Sequence, residues 1–237
     1  MRHAGEVLTK TLDLLAKSVR IGVSTKELDE IAEKFICSHE GCTPGFKGYR
    51  GFQGSICTSI NEEAVHGIPS SDRILRNSDI VGIDCGVCYK GLHTDACRTF
   101  IVGDAPYEVK QFVKTTKEAL RQAVKQVRPG GRIGDISETI QSTLERFGYT
   151  PVIECTGHGV GHDLHEAPEI LNAGKKGTGP VMKPGMALAI EPISSMGFGD
   201  IRKAKDQWTL CIADGSLSAH FEETVLVTEN GCEVLAK

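Results

Sequence analysis

The feature that most restricts this chain is the placement of acidic residues inside apolar, strand-like segments. Aspartate is a poor strand former, and burying its charge without a partner is costly. Yet Asp84 directly follows the apolar run Ile80-Val81-Gly82-Ile83, and Asp95 lies within a second strand-like segment from Leu92 to Val102. Lys90-Gly91 between them suits a two-residue hairpin turn. With that turn, Gly86 faces Asp95 and Asp84 faces Cys97. Both aspartates then project from one face of the hairpin, on a diagonal of roughly 7–8 Å between backbones. Carboxylates placed to converge in this way repel unless a cation lies between them. A register slip of one residue would put them on opposite faces.

The second half repeats the theme. Ala187-Leu188-Ala189-Ile190 reads as a strand core ending in Glu191-Pro192. The strand expected from Phe221 to Thr228 carries adjacent glutamates, Glu222 and Glu223. Neighbouring strand residues face opposite ways, so only one of the two can face a site, and the pattern leaves that choice open. Ahead of these segments lies Thr156-Gly157-His158-Gly159-Val160-Gly161-His162, followed by His165. Glycines beside a histidine let the backbone approach closely and leave the imidazole accessible. The chain holds eight histidines, and three fall in this one stretch, which marks it as a candidate ligand segment. Neutral imidazole among carboxylates is a mixed donor set that suits Mn, Fe, Co or Zn. Four carboxylates and one histidine can hold two such ions about 3.5–4 Å apart.

Helical segments surround these strands. Ala4, Leu8, Leu12, Leu15 and Val19 recur at helical spacing. A second helix is expected from about Ser24, an N-cap with Glu27 at the capping-box position, to about His39. Gly41 stops it. Longer helical stretches follow from about Tyr107 to Val127 and from about Asp135 to Phe147, separated by Pro129-Gly130-Gly131. The segment from Gly45 to Gly54 has loop composition, with the rings of Phe46, Tyr49 and Phe52 free to be exposed. A faint repeat links the halves. Val19-Arg20-Ile21-Gly22 is echoed 108 positions later by Val127-Arg128-Pro129-Gly130, and Gly41-Cys42-Thr43-Pro44 is echoed 107 positions later by Gly148-Tyr149-Thr150-Pro151. Helices mixed with antiparallel strands indicate an α+β fold. No Pro/Ser-rich linker divides the chain, so residues 1–237 read as a single domain of two related halves.

Composition narrows the function classes. Net charge is −4 and no long basic run occurs, so no footprint for nucleic acid is expected. No stretch reaches the roughly 20 apolar residues of a membrane span, and no signal core begins the chain. Nine cysteines, an odd number without disulfide-like rhythm, read as reduced thiols in a cytoplasmic setting. Cys85-Gly86-Val87-Cys88 has the spacing of half a zinc ribbon, but no second pair exists and the run reads as strand.

At this point the residues resemble a known family, the type I methionine aminopeptidases. The resemblance rests on Ser59-Ile60-Asn61-Glu62 with His66-Gly67-Ile68-Pro69, Ile83-Asp84, His93-Thr94-Asp95, Gly157-His158-Gly159-Val160-Gly161, Ile190-Glu191-Pro192 and Asn230-Gly231-Cys232-Glu233. It covers nearly the whole chain. It implies the pita-bread fold, with two pseudo-symmetric halves around a curved antiparallel sheet. It implies two divalent ions (Co, Mn, Fe or Zn) held by Asp84, Asp95, His158, Glu191 and Glu222. Asp95 and Glu222 would bridge the ions, Asp84 would complete one, and His158 and Glu191 the other. It selects Glu222 over Glu223. Glu191, His165 and His66 take the catalytic roles, with both histidines facing substrate. The substrates implied are the N-termini of nascent polypeptides. Apart from the resemblance, a monomer is expected, for which a transient contact with the ribosome stays open.

The resemblance also places Phe46, Tyr49, Phe52, Cys57, Leu164 and Trp208 around an apolar methionine pocket. Two positions depart from the bacterial pattern: Leu164 stands where Phe is common, and Phe46 where a small residue is common. Either the two changes compensate in volume, or Phe46 points away and Leu164 leaves more room. Two other readings compete. A proline-directed peptidase of the same fold would carry a further N-terminal domain, for which 237 residues leave no space. A binding module of this fold would have lost metal ligands, whereas all five positions are filled.

Overall fold

The computed structural model describes residues 1–237. Two helices open the chain, α1 (Arg2–Ser18) and α2 (Thr25–Cys37). Ala4, Leu8, Leu12 and Leu15 of α1 are completely buried, as their spacing requires. The Ser24 hydroxyl accepts from Glu27 N–H, and the Glu27 carboxylate accepts from Ser24 N–H, closing the expected capping box. Strands β1 (Cys42–Pro44), β2 (Ile56–Ile60), β3 (Glu63–Val65), β4 (Ile80–Tyr89) and β5 (Leu92–Ile101) follow. Helices α3 (Tyr107–Val124) and α4 (Ile133–Glu145) open the second half. Then come β6 (Thr150–Pro151), β7 (Thr156–Gly159), β8 (Glu166–Leu171), β9 (Ala187–Ile190), β10 (Ile193–Ser195), β11 (Ile201–Lys203) and β12 (Leu210–Ile212). The chain ends in β13 (Ser218–His220), β14 (Glu223–Thr228) and β15 (Gly231–Ala236). No helix is long and apolar enough to cross a membrane.

Each half lays a helix pair over its own sheet. Beneath α1 and α2, a core that includes Leu8, Leu28, Ile56, Ile83 and Val87 joins them to the sheet of β1, β4, β2 and β5. Beneath α3 and α4, a core that includes Phe112, Ile136, Leu188, Ile190 and Val225 joins them to the sheet ordered β15-β14-β9-β7-β8. In both halves a short strand, β1 or β6, follows the helix pair directly, so the faint sequence repeat is a repeat of structure. The halves meet edge to edge. Cys97 N–H donates to the Glu222 carbonyl at 3.3 Å, and Glu222 N–H donates to the Cys97 carbonyl at 2.9 Å. Beside them Asp95 N–H donates to Thr224 Oγ1, which donates to the Asp95 carbonyl.

Several expectations shift. The helix expected to reach Val127 ends at Val124, and α4 starts two residues early because the Asp135 carboxylate accepts from Arg132 N–H. The strand expected from Phe221 starts at Glu223 as β14, since Glu222 pairs across the seam instead. Phe46 and Phe52 lie at 7% and 3% exposure, so rings that loop composition left free to be exposed are buried, as the expected apolar pocket requires. Their loop folds inward, with one short helical turn at Tyr49–Gly51, and places both rings in an apolar cluster.

Candidate metal centre

The β4–β5 hairpin turns at Lys90-Gly91, both with positive φ (52° and 74°), as a two-residue turn of this hand demands. Gly86 pairs with Asp95 and Asp84 with Cys97, the register expected from the turn. Both carboxylates therefore leave the same face. Cys57 of β2 stands opposite Asp84 on the other side. Gly86, opposite Asp95 and two residues from Asp84, shares that face, and a methyl there would sit 2.7 Å from the Phe46 ring. Phe46 thus packs on the hairpin beside the acids and does not point away.

The second half supplies the facing groups. His158 lies on β7 between Gly157 and Gly159, where a side chain would collide with the carbonyls of Ala189 and Ala167 at 2.5 and 2.3 Å. The glycines allow β7 to press against its neighbours and present the imidazole. His158 Nδ1 donates to the Gly159 carbonyl at 2.8 Å, which leaves Nε2 as an electron-pair donor. That Nε2 lies 3.7 Å from Glu191 Oε1. Donor atoms of Asp95, His158 and Glu222 all lie within 4.8 Å of one another. Glu222 is 2% exposed, while Glu223 faces away and is only partly buried.

The electrostatics of the cluster favour cations. Burial pushes the Asp84 carboxyl up to about 7. Burial also holds Asp95, Glu191 and Glu222 well above the usual carboxylate range, with neighbouring carboxylates adding to it. Asp84 Oδ1, Asp95 Oδ1 and Glu222 Oε1 are buried without any hydrogen-bond partner. Buried carboxylate oxygens left unpaired and pressed together are the expected preparation for cations. The donor set of carboxylates and imidazole fits divalent transition metals.

These groups form one side of a cavity of about 160 Å³. All the expected site residues line it: Asp84, Asp95, His158, Glu191 and Glu222, the histidines His66 and His165, and the apolar Phe46, Tyr49, Phe52, Cys57, Leu164 and Trp208. Phe46, Phe52, Cys57 and Leu164 form one buried cluster, against which Tyr49 and Trp208 pack. Phe52 and Trp208 meet edge to face at 5.2 Å. At the mouth, the Tyr49 ring stacks on His165 at 5.4 Å, and Tyr49 OH lies 3.1 Å from His165 Nδ1. His66 adopts φ 61°, a conformation unusual for a non-glycine residue. Its neighbour Gly67 lies so close to Thr58 that a methyl would sit 2.1 Å from the carbonyl oxygen. Burial lowers both His66 and His165 to about 4, so both are neutral at pH 7. His162, from the histidine-rich stretch, is exposed and outside the cavity.

Three lining residues were not anticipated: Arg50, Val65 and His220. His220 is the notable one, held neutral by burial and nearby histidines, which lower it to about 3. Strand alternation carried the signal, because residues 220 and 222 share a side of an extended chain.

A deep cluster of acids and imidazole beside an apolar cavity, set between two helix-backed sheets, defines a metal-dependent peptidase. The chain belongs to metallopeptidase family M24, whose model matches residues 1–229. Within it, the relatives are methionine aminopeptidases. That of Clostridium acetobutylicum is 45% identical over 99% of this chain and 94% of its own length. The crystal structure of methionine aminopeptidase from Thermotoga maritima superposes with a TM-score of 0.98 at 41% identity, covering 100% of this chain and 95% of that one. Prolidase from Pyrococcus furiosus shares the fold at a TM-score of 0.80 and 25% identity, but this chain covers only 62% of it. The pita-bread fold expected from the sequence is thus the fold observed, and the chain is a metallo-aminopeptidase.

Proposed function

We propose that the chain removes the N-terminal methionine of nascent polypeptides, using two divalent ions held by Asp84, Asp95, His158, Glu191 and Glu222. One observation carries the reading: the orphaned carboxylates and the Phe46–Leu164 cluster line the same cavity. When bound, ions of the Co, Mn, Fe or Zn kind supply Lewis-acid activation of water at neutral pH. The apolar cluster takes the methionine side chain, for which aromatic and sulfur-bearing walls are good partners. Glu191 accepts a proton at its carboxylate and passes it to the leaving amine. Tyr49 OH donates to His165 Nδ1, and that tautomer leaves Nε2–H to donate to the developing oxyanion. Neutral His66 contacts the scissile amide. Residues 1–237 act as one catalytic unit, a cytoplasmic monomer that meets its substrates at the ribosome.

The test is titration of metal-free protein with Mn, Co or Fe while following methionine release from a Met-Gly peptide. Release should rise with added ion and saturate. Cleavage of X-Pro peptides alone would assign the chain to its proline-directed relatives. No cleavage with any ion would end the hydrolase reading.

A further inference from the structure

His220 ends β13 at 4% exposure, inside the same cavity as the carboxylates. Its backbone is held firmly. His220 N–H donates to Thr99 Oγ1 at 2.9 Å, and the same hydroxyl donates to the His220 carbonyl at 2.7 Å. On the other side His220 pairs with Ile193 of β10. The imidazole is therefore presented from a fixed point.

Its Nε2 has no hydrogen-bond partner. It lies 3.5 Å from Glu191 Oε2 and 4.0 Å from Glu222 Oε2. Both separations exceed a good N–H···O bond. Two donors each about 2.0–2.2 Å from one ion stand roughly 3–4 Å apart over the usual range of angles. The His220 separations fall in that range, as does the 3.7 Å between His158 Nε2 and Glu191 Oε1. Within this cavity the unpartnered buried atoms are Asp84 Oδ1, Asp95 Oδ1, Glu222 Oε1 and His220 Nε2. The first three belong to the ligand set, and the fourth shares their condition.

We propose that His220 is a sixth protein ligand of the metal centre, adding a second imidazole nitrogen to its carboxylate-rich set. The proposal rests on the metal-centre reading above. His220 Nε2 lies against Glu191 Oε2, whereas His158 Nε2 lies against Oε1. A further nitrogen donor tilts the centre toward Co, Fe and Zn relative to Mn and Mg.

The test counts ligating histidines directly, by proton NMR of the cobalt(II)-loaded protein in water. A histidine bound through Nε2 keeps an exchangeable Nδ1–H, which the paramagnetic ion shifts far from the ordinary spectrum. Two such resonances are expected in the parent and one in His220→Ala. The variant's cobalt affinity should fall about tenfold or more, with a smaller loss for manganese. His220→Gln keeps a polar side chain in the same space and should lose the same resonance, which covers the case of an alanine variant that does not fold. A parent with a single resonance, or variants that keep both resonances, would overturn the role of His220 and leave the five-ligand centre standing. No cobalt uptake by the parent would overturn both.

Discussion

At the scale of single residues, the roles divide by whether a group holds ions or handles substrate. His165 stacks on Tyr49 and lies tilted against His158, and the proposed function gives it a role toward substrate. His165→Ala should therefore cut kcat by about a hundredfold or more while metal content stays at the parent level. An unchanged kcat would remove it from the mechanism. Phe46 and Leu164 share one buried cluster, so the structure favours compensation over independence. Selectivity profiles of Phe46→Cys, Leu164→Phe and the double variant should be non-additive by about 0.5 kcal/mol or more. Strict additivity would show that the two side chains do not sense each other. Much of this scale was legible. Acids inside apolar runs, such as Asp84 and Glu191, announce themselves because nothing else explains them there. The choice of Glu222 over Glu223 was not legible from pattern, because it depends on the pairing of Glu222 with Cys97 across the seam. His220 escaped for a related reason: it ends a three-residue strand, too short for alternation to stand out.

At the scale of elements, the hairpin is the most informative piece. Its turn residues, its register and the common face of its aspartates all follow from Lys90-Gly91 and a period of two. Local rules suffice here because the turn sets the pairing. The loop from Gly45 to Gly54 is the opposite case. Its composition indicated a loop, but the burial of Phe46 depends on a surface made by β4, about forty residues further on, and Phe52 packs against Trp208, further still. Gly86 joins the two elements. Gly86→Ala would bring its methyl against the Phe46 ring at 2.7 Å and force the ring or the strand to move. The urea midpoint should drop by an amount equivalent to about 1–3 kcal/mol, and the methionine pocket should be disturbed with it. A variant as stable as the parent would mean the Phe46 ring swings away freely.

At the scale of the whole molecule, opposing titrations set how stability depends on pH. The buried carboxylates have raised pKa values, so without ions their stabilisation is full at low pH and is lost as pH climbs, through about 7 for Asp84. Buried His220 has a value lowered to about 3, so its stabilisation is present above about pH 6.5 and is lost as pH falls toward about 3. The two effects oppose each other below about pH 6.5, and only the carboxylates act above it. Bound ions need those carboxylates ionised, so they compete with protons. The rise in Tm on adding Mn should therefore grow from about pH 6 to about pH 8. A constant rise across that window would mean that the carboxylates do not hold the ion.

The seam adds a mechanical side to this chemistry. Asp84 and Asp95 come from the first helix-backed sheet, and His158, Glu191 and Glu222 from the second. Ions held by the proposed ligands would act as rivets, added to a joint already made by bonds around Cys97, Glu222 and Thr224, by the pairing of β3 with β12, and by Ala236 of β15 packed in the core beneath α1. The reagent proposed to cut substrate would then also be a fastener. Metal starvation would slacken the grip between the lobes in the same event that silences the enzyme.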